Sequence, residues 1–258
     1  MRLELTGDKS PVYAAAPDKS GLAGFIRCRR VARRFIFGGH GITEFDRQNS
    51  LGTRIQIIAD KIGADANKLI HNLNVLKDTG YVESAPMGYK ITLQGIDAVK
   101  KWRKRVELVT EFEQISEMSP QPRGRALQKL LAKVFEQYGW SQEEGVRTSH
   151  EEMDVIVHKE REYYLIECKW EKDHIEADVV RELFGKLNNR EGVRGIIVSM
   201  SGFTSGAVKQ AEEYANIRVI LFFGPEDVRS LVYERSSFDT LLNSKYQKII
   251  TRKQVLFD

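Results

Sequence analysis

The sequence predicts an α/β protein, a mixed sheet flanked by helices, with a smaller module of two helices and a β-hairpin ahead of it. Three observations carry that expectation. From about residue 123 onward, apolar runs of strand length alternate with amphipathic helical segments. Between residues 53 and 93, two helical patterns precede two short strands around Pro86-Met87-Gly88. Charge is also split: residues 1–105 hold 19 Lys and Arg against 10 Asp and Glu (+9), and the remainder 21 against 26 (−5).

A length of 258 residues allows two domains, each able to bury a core. The 41% hydrophobic and 29% charged residues match a soluble globular composition. No apolar run approaches the roughly 20 residues that span a bilayer, and the first residues lack a secretory-signal pattern, so no membrane partner is expected. Cys28 and Cys168 are the only cysteines and fall in separate predicted domains. A disulfide is therefore not expected, and a reducing cytoplasm is the simplest location. The five histidines show no zinc-ligand spacing, and no glycine loop suited to cradling phosphate is present.

Residues 1–40 read as a tail and basic segment. Its Arg27, Arg29, Arg30, Arg33 and Arg34 interleave with Phe25, Ile26, Val31, Phe35 and Ile36. That mixture suits an amphipathic helix on a phosphate backbone, and equally a solvated face packed on its apolar side. Residues 41–105 form the first module. Ile55, Ile58, Ala59 and Ile62 recur at helical spacing over Thr53–Ile62 and stop at Gly63. Asp65 caps a second helix to about Thr79, whose core side carries Leu69, Ile70, Leu73 and Leu76. Gly80–Ser84 and Tyr89–Leu93 then read as a hairpin. Residues 106–122 read as a connecting helix over Glu107–Glu117 and a linker broken by Pro120 and Pro122.

Residues 123–235 form the larger domain. Leu127, Leu130, Leu131, Val134, Phe135 and Tyr138 define an amphipathic helix ended by Gly139. A hairpin follows, Val155–His158 and Tyr163–Lys169, then a helix over Asp178–Asn189 and an apolar strand over Arg194–Met200. The turn Ser201–Gly206 leads to a helix over Ala207–Ala215, a strand over Ile217–Phe223 and a short helix over Pro225–Val232. Residues 236–258 read as a closing amphipathic helix or a dimer surface.

The chemistry concentrates at Tyr164-Leu165-Ile166-Glu167-Cys168-Lys169-Trp170, with Asp154 thirteen residues before Glu167. Strand side chains repeat every second residue, so Glu167 and Lys169 share a face and Cys168 points away. The hairpin returns Asp154 to Glu167. Two carboxylates and an ammonium at one sheet edge suit Mg²⁺, with Mn²⁺ as an alternative, and phosphodiester cleavage. Asp154, Glu167 and Cys168 are the candidate metal positions, although the Cys168 thiol is most simply a small buried filler. Lys169 is placed to orient or deprotonate a water, and the neighbouring carboxylate keeps it protonated unless the site tunes it. The same triplet also reads as an exposed strand with a salt-bridged Glu–Lys pair.

Residues of about 120 to 233 resemble the restriction-endonuclease-like PD-(D/E)xK nucleases, in particular the Mrr-like branch. The matching patterns are the Arg-Gly-x-x-Leu helix opening at Arg123, the Asp154…Glu167-Cys168-Lys169-Trp170 core, and Ser201-Gly202-Phe203-Thr204 before a helix. The resemblance implies a metal-dependent nuclease in which Asp154 and Glu167 hold the metal and Lys169 assists hydrolysis. The family's first helix often adds a Glu where this chain has Gln128. That amide can still bind a water of the ion but offers less charge.

The first module, with "LKDTGYVE … YKITLQG", resembles the winged helices of bacterial DNA-binding proteins. In such modules the second helix usually enters the major groove. Asn67, Lys68, His71, Asn72 and Lys77 on that helix, and Lys90 near the wing tip, are the candidate DNA contacts. Winged helices also serve as dimerisation or docking units. The combined expectation is an endonuclease acting on duplex DNA as a homodimer, in restriction or phage defence. The alternative is a nuclease fold with impaired catalysis acting as a DNA-binding or regulatory protein, and the site chemistry itself does not distinguish DNA from RNA.

Overall fold

The computed structural model describes residues 54–62, 65–147 and 152–255, without the side chains of 61, 62, 68, 144–147 and 152–154. The basic segment at 27–34 and the side chains of Lys68 and Asp154 therefore lie outside the described residues. Two compact units divide at Arg103/Lys104.

In the first unit, helix α1 (Ile55–Ile62) and helix α2 (Ala66–Asp78) precede a hairpin of β1 (Val82–Ala85) and β2 (Gly88–Ile91) and the start of helix α3 (Leu93–Ser116). Asp65 Oδ1 accepts from the Asn67 N–H at 3.0 Å, satisfying a donor that the first turn of α2 leaves free. Leu69, Leu73 and Leu76 repeat at i, i+4 and i+7 and are buried with Ile58, Ala59, Tyr81, Val82 and Val99. Ile70 does not join them. It stands one residue round from Leu69 and is exposed, so the sequence-based core is one residue too wide. Leu93, expected to end the second strand, instead opens α3: Thr92 Oγ1 accepts from the Gly95 N–H at 3.1 Å and turns the chain into the helix.

The second unit holds a five-stranded sheet of order β3-β4-β5-β6-β7. The strands are β3 (Ser141–Arg147), β4 (Glu152–Lys159), β5 (Glu162–Lys169), β6 (Val193–Ser199) and β7 (Ile220–Phe223). The pairs β3/β4 and β4/β5 are antiparallel, and β5/β6 and β6/β7 are parallel. Helix α4 (Pro120–Gln137) begins where Pro120 can occupy the first turn without losing a bond. Helix α5 (Ala177–Asn188) makes the crossover from β5 to β6, and α6 (Ser205–Tyr214) that from β6 to β7. Helices α7 (Pro225–Val232) and α8 (Phe238–Arg252) complete the unit.

The two faces of the sheet are covered by different helices. Trp140 meets Tyr164 and Phe238 at 5.7 and 5.2 Å between ring centroids, and Phe238 meets Phe135 of α4 at 4.5 Å. Tyr164, Ile166 and Cys168 therefore face α4 and α8. On the other face, a Cβ at Gly195 would meet Leu183 and Leu187 of α5 at 3.0 and 2.9 Å. Leu165 pairs with Gly195, which puts Leu165, Glu167 and Lys169 on the α5 side. The strand expected over Ile217–Phe223 begins only at Ile220, because the N–H groups of Ile217 and Arg218 both donate to Tyr214 O and finish α6 instead. Strand β3 was not expected at all.

Phe238 is fully buried among Phe135, Trp140 and Phe223, so Phe238→Ala should cost about 3–5 kcal/mol in chemical denaturation. The Tyr138 hydroxyl, shared between Leu231 O at 2.9 Å and Ser236 O at 3.0 Å, is pushed well above the ordinary tyrosine value by burial and then by Glu234, with Arg105 opposing. Its contribution to stability is present below about pH 10 and declines above it, as the unfolded phenol ionises and the folded one does not. Tyr138→Phe should flatten that alkaline decline in unfolding measured from pH 8 to 11.5.

Candidate active site

The site is built at the C-terminal ends of β5 and β6 on the α5 face. Alternation along β5 sets Glu167 and Lys169 side by side, and Lys169 Nζ lies 3.2 Å from Glu167 Oε1. The other carboxylate oxygen, Oε2, accepts from Lys186 Nζ of α5 at 3.1 Å. Lys186 also reaches Glu182 Oε1, one turn back, at 3.2 Å. The side chains of Glu167 and Lys186 are only 11% and 10% exposed, whereas that of Lys169 is 29% exposed. Burial alone would pull the Lys186 ammonium down, but Glu167 and Glu182 together hold it above the ordinary lysine value. One carboxylate thus sits between a buried cation and a partly exposed one.

Asp154 enters through the strand register. The β4/β5 pairing runs from Lys159↔Glu162 to Val155↔Ile166. Asp154 and Glu167 are the next residue along each strand beyond that last pair, and alternation assigns both positions to the α5 side. Among the described residues no group of three or more His, Cys, Asp or Glu side chains gathers as a metal centre. Hard carboxylate oxygens from adjacent strand positions nevertheless suit a hard divalent cation, and the partly exposed Lys169 ammonium suits a phosphate oxygen, so the donor chemistry fits.

The Cys168 thiol is buried in the core on the opposite face from Glu167. Gln128 sits half-buried on α4. In the first unit Asn67, His71 and Lys77 are exposed on α2, Asn72 is half-buried, and Lys90 pairs with Glu83 at 2.8 Å. Lys186 was missed by sequence reasoning. The available signal was a lysine beside the buried residues Val180, Leu183 and Leu187 of an amphipathic helix.

Two devices fix the ends of the strands. Arg123, in the first turns of α4, lies with its guanidinium 4.9 Å from the Trp170 ring centre and donates to Trp170 O at 3.4 Å. Buried Ser199, the register partner of Lys169, accepts from the Ser201 and Gly202 N–H groups at 3.2 and 3.0 Å and donates to Gly202 O at 2.9 Å. Gly202, at φ +94°, makes this turn, where a Cβ would stand 3.0 Å from the His174 ring. Ile175 N–H donates to Gly202 O, and Thr204 N–H to Ile175 O, both at 2.9 Å, tying the segment after β5 to the segment after β6. Thr204 then caps α6 by accepting from Ala207 N–H at 3.2 Å.

A family model described as Restriction endonuclease matches residues 117–228. That span holds Gln128, Asp154, Glu167, Lys169 and Lys186, and it supports a restriction-endonuclease-like nuclease domain, with which the mixed sheet flanked by helices is consistent. Solved structures similar to this chain include a protein of unknown function, AF1548, at 21% identity over 46% of this chain and 65% of that one, with a TM-score of 0.32. The MspJI restriction endonuclease in complex with a 27-mer oligonucleotide is 17% identical over 55% of this chain and 35% of that one, with a TM-score of 0.33. The protein VC1899 from Vibrio cholerae is 12% identical over 83% and 52%, with a TM-score of 0.34. The chain spans less than two thirds of the length of each of these structures. No curated protein matches the chain. No helix among the described residues is long and apolar enough to cross a membrane.

Ser199→Ala should leave the Ser201 and Gly202 N–H groups without their acceptor, at a cost of about 1–3 kcal/mol, read as lower stability together with faster hydrogen exchange at Ile175 and Gly202.

Proposed function

We propose that this chain is an endonuclease that hydrolyses DNA phosphodiester bonds with a divalent cation, Mg²⁺ or Mn²⁺, in restriction or phage defence. The observation that carries the reading is the Glu167–Lys169 pair at the end of β5, one strand step from Asp154, inside the span matched by the restriction endonuclease family. Asp154 and Glu167 would hold the ion, and Gln128 is a further candidate from α4. The ion, when bound, supplies charge on the scissile phosphate and acidifies a water.

The remaining work falls to the protein. Lys169 Nζ lies beside the Glu167 carboxylate and, being partly exposed, can turn toward a phosphate oxygen or orient the attacking water. Arg123 and the Ser199 turn hold the strand ends that carry this pair. The first unit, read as a winged helix, would present Asn67, Lys68, His71, Asn72 and Lys77 of α2 to duplex DNA, with Lys90 at the wing. Its positive balance supports capture of a phosphate backbone. Cutting both strands calls for two such sites, hence a homodimer, and the cysteine usage suits the cytoplasm.

Supercoiled plasmid incubated with the full chain and Mg²⁺ or Mn²⁺ should be nicked or linearised. Lys169→Ala and Asp154→Ala should each slow this about 100-fold or more. Salt-sensitive binding to duplex without cutting under either ion would instead indicate a DNA-binding or regulatory protein on a nuclease fold. A parallel labelled RNA substrate separates the two nucleic acids.

A further inference from the structure

Lys186 is a charged residue among the apolar neighbours that α5 buries. It stands three residues after Leu183 and next to Leu187, both buried, at a position where an apolar side chain would pack well. A buried ion pair is often no more stabilising than apolar residues of similar volume, so stability alone is a weak reason for this lysine. Its contacts are specific. It occupies Oε2 of Glu167 and leaves Oε1 to Lys169, the more exposed of the two cations. The two oxygens of one carboxylate are thus assigned different partners, one buried and one partly exposed.

We propose that Lys186 is the positioning residue of the site: its ammonium pins Oε2 of Glu167, so that Oε1 alone remains for an incoming divalent cation once Lys169 swings aside. This rests on the nuclease reading above. Two consequences follow from charge and geometry. Lys186 holds the carboxylate in one orientation, which favours cleavage, and its positive charge opposes the arriving cation, which weakens ion binding. A residue that merely supported the fold would move both quantities in the same direction.

The test uses the full chain. Mn²⁺ binding is measured without DNA by electron paramagnetic resonance, and plasmid cleavage with Mn²⁺ is measured in parallel, for wild type, Lys186→Met and Lys186→Arg. Lys186→Met should bind Mn²⁺ about threefold more tightly or better, because a nearby like charge is gone. Its kcat should fall about tenfold or more, because the carboxylate is no longer held. Lys186→Arg should return both values toward wild type. Unchanged Mn²⁺ affinity and kcat in Lys186→Met, beside a wild type that binds and cuts, overturn this proposal alone. Weakened binding and weakened cleavage together, with a lowered melting temperature, also overturn it and leave Lys186 a structural residue. A wild type that neither binds Mn²⁺ nor cuts overturns the nuclease reading, and this proposal with it. Should Lys186→Met fail to fold, Lys186→Gln is judged by the same criteria.

Discussion

A carboxylate nearly shut off from water is tolerated only on condition that cations or donors replace the lost hydration. Glu167 meets that condition with one ammonium from its own strand and one from the crossover helix. The surrounding architecture serves the placement of those two groups. Strand alternation supplies Lys169 at no structural cost, whereas Lys186 requires α5 to cross the same face at the right height. Leu183 and Leu187 fix that height by packing onto the sheet where Gly195 leaves room for them. A bulkier residue at 195 would push the helix away and separate the cation from the acid.

The opposite face is organised by a different physics. Phe135, Trp140, Phe223 and Phe238 form a continuous aromatic cluster with ring centroids 4.5 to 5.9 Å apart, a core that resists deformation because each ring is held by its neighbours. Polar chemistry on one side of β5 is thus backed by rigid apolar packing on the other. Cys168 belongs to that backing. Its place between Glu167 and Lys169 in sequence is a consequence of strand alternation and gives it no share in the polar site.

Much of this was legible in the residues. The β4/β5 hairpin, the Glu167–Lys169 pairing and most helices follow from periodicity, because apolar spacing records which side faces the core. What escaped had no such record. Strand β3 reads Ser-Gln-Glu-Glu-Gly-Val-Arg and is held at the sheet edge by backbone pairing with β4, which leaves no apolar alternation to detect. The Lys186–Glu167 contact joins residues nineteen apart through a crossover, and no local pattern encodes which lysine of a helix meets a distant strand. Ile70 and Ile217 failed in the other direction. Both are apolar and both are exposed, since an isolated surface isoleucine costs little.

The change from antiparallel to parallel pairing at β5 has a consequence for how the protein assembles itself. The β4/β5 hairpin joins neighbours in sequence across a two-residue turn, a local contact that can close early. The parallel partner arrives only after the chain has travelled through α5, and Lys186 arrives with it. The buried counter-charge of the acid therefore reaches it only once the crossover is in place, whereas Lys169 comes with the strand itself.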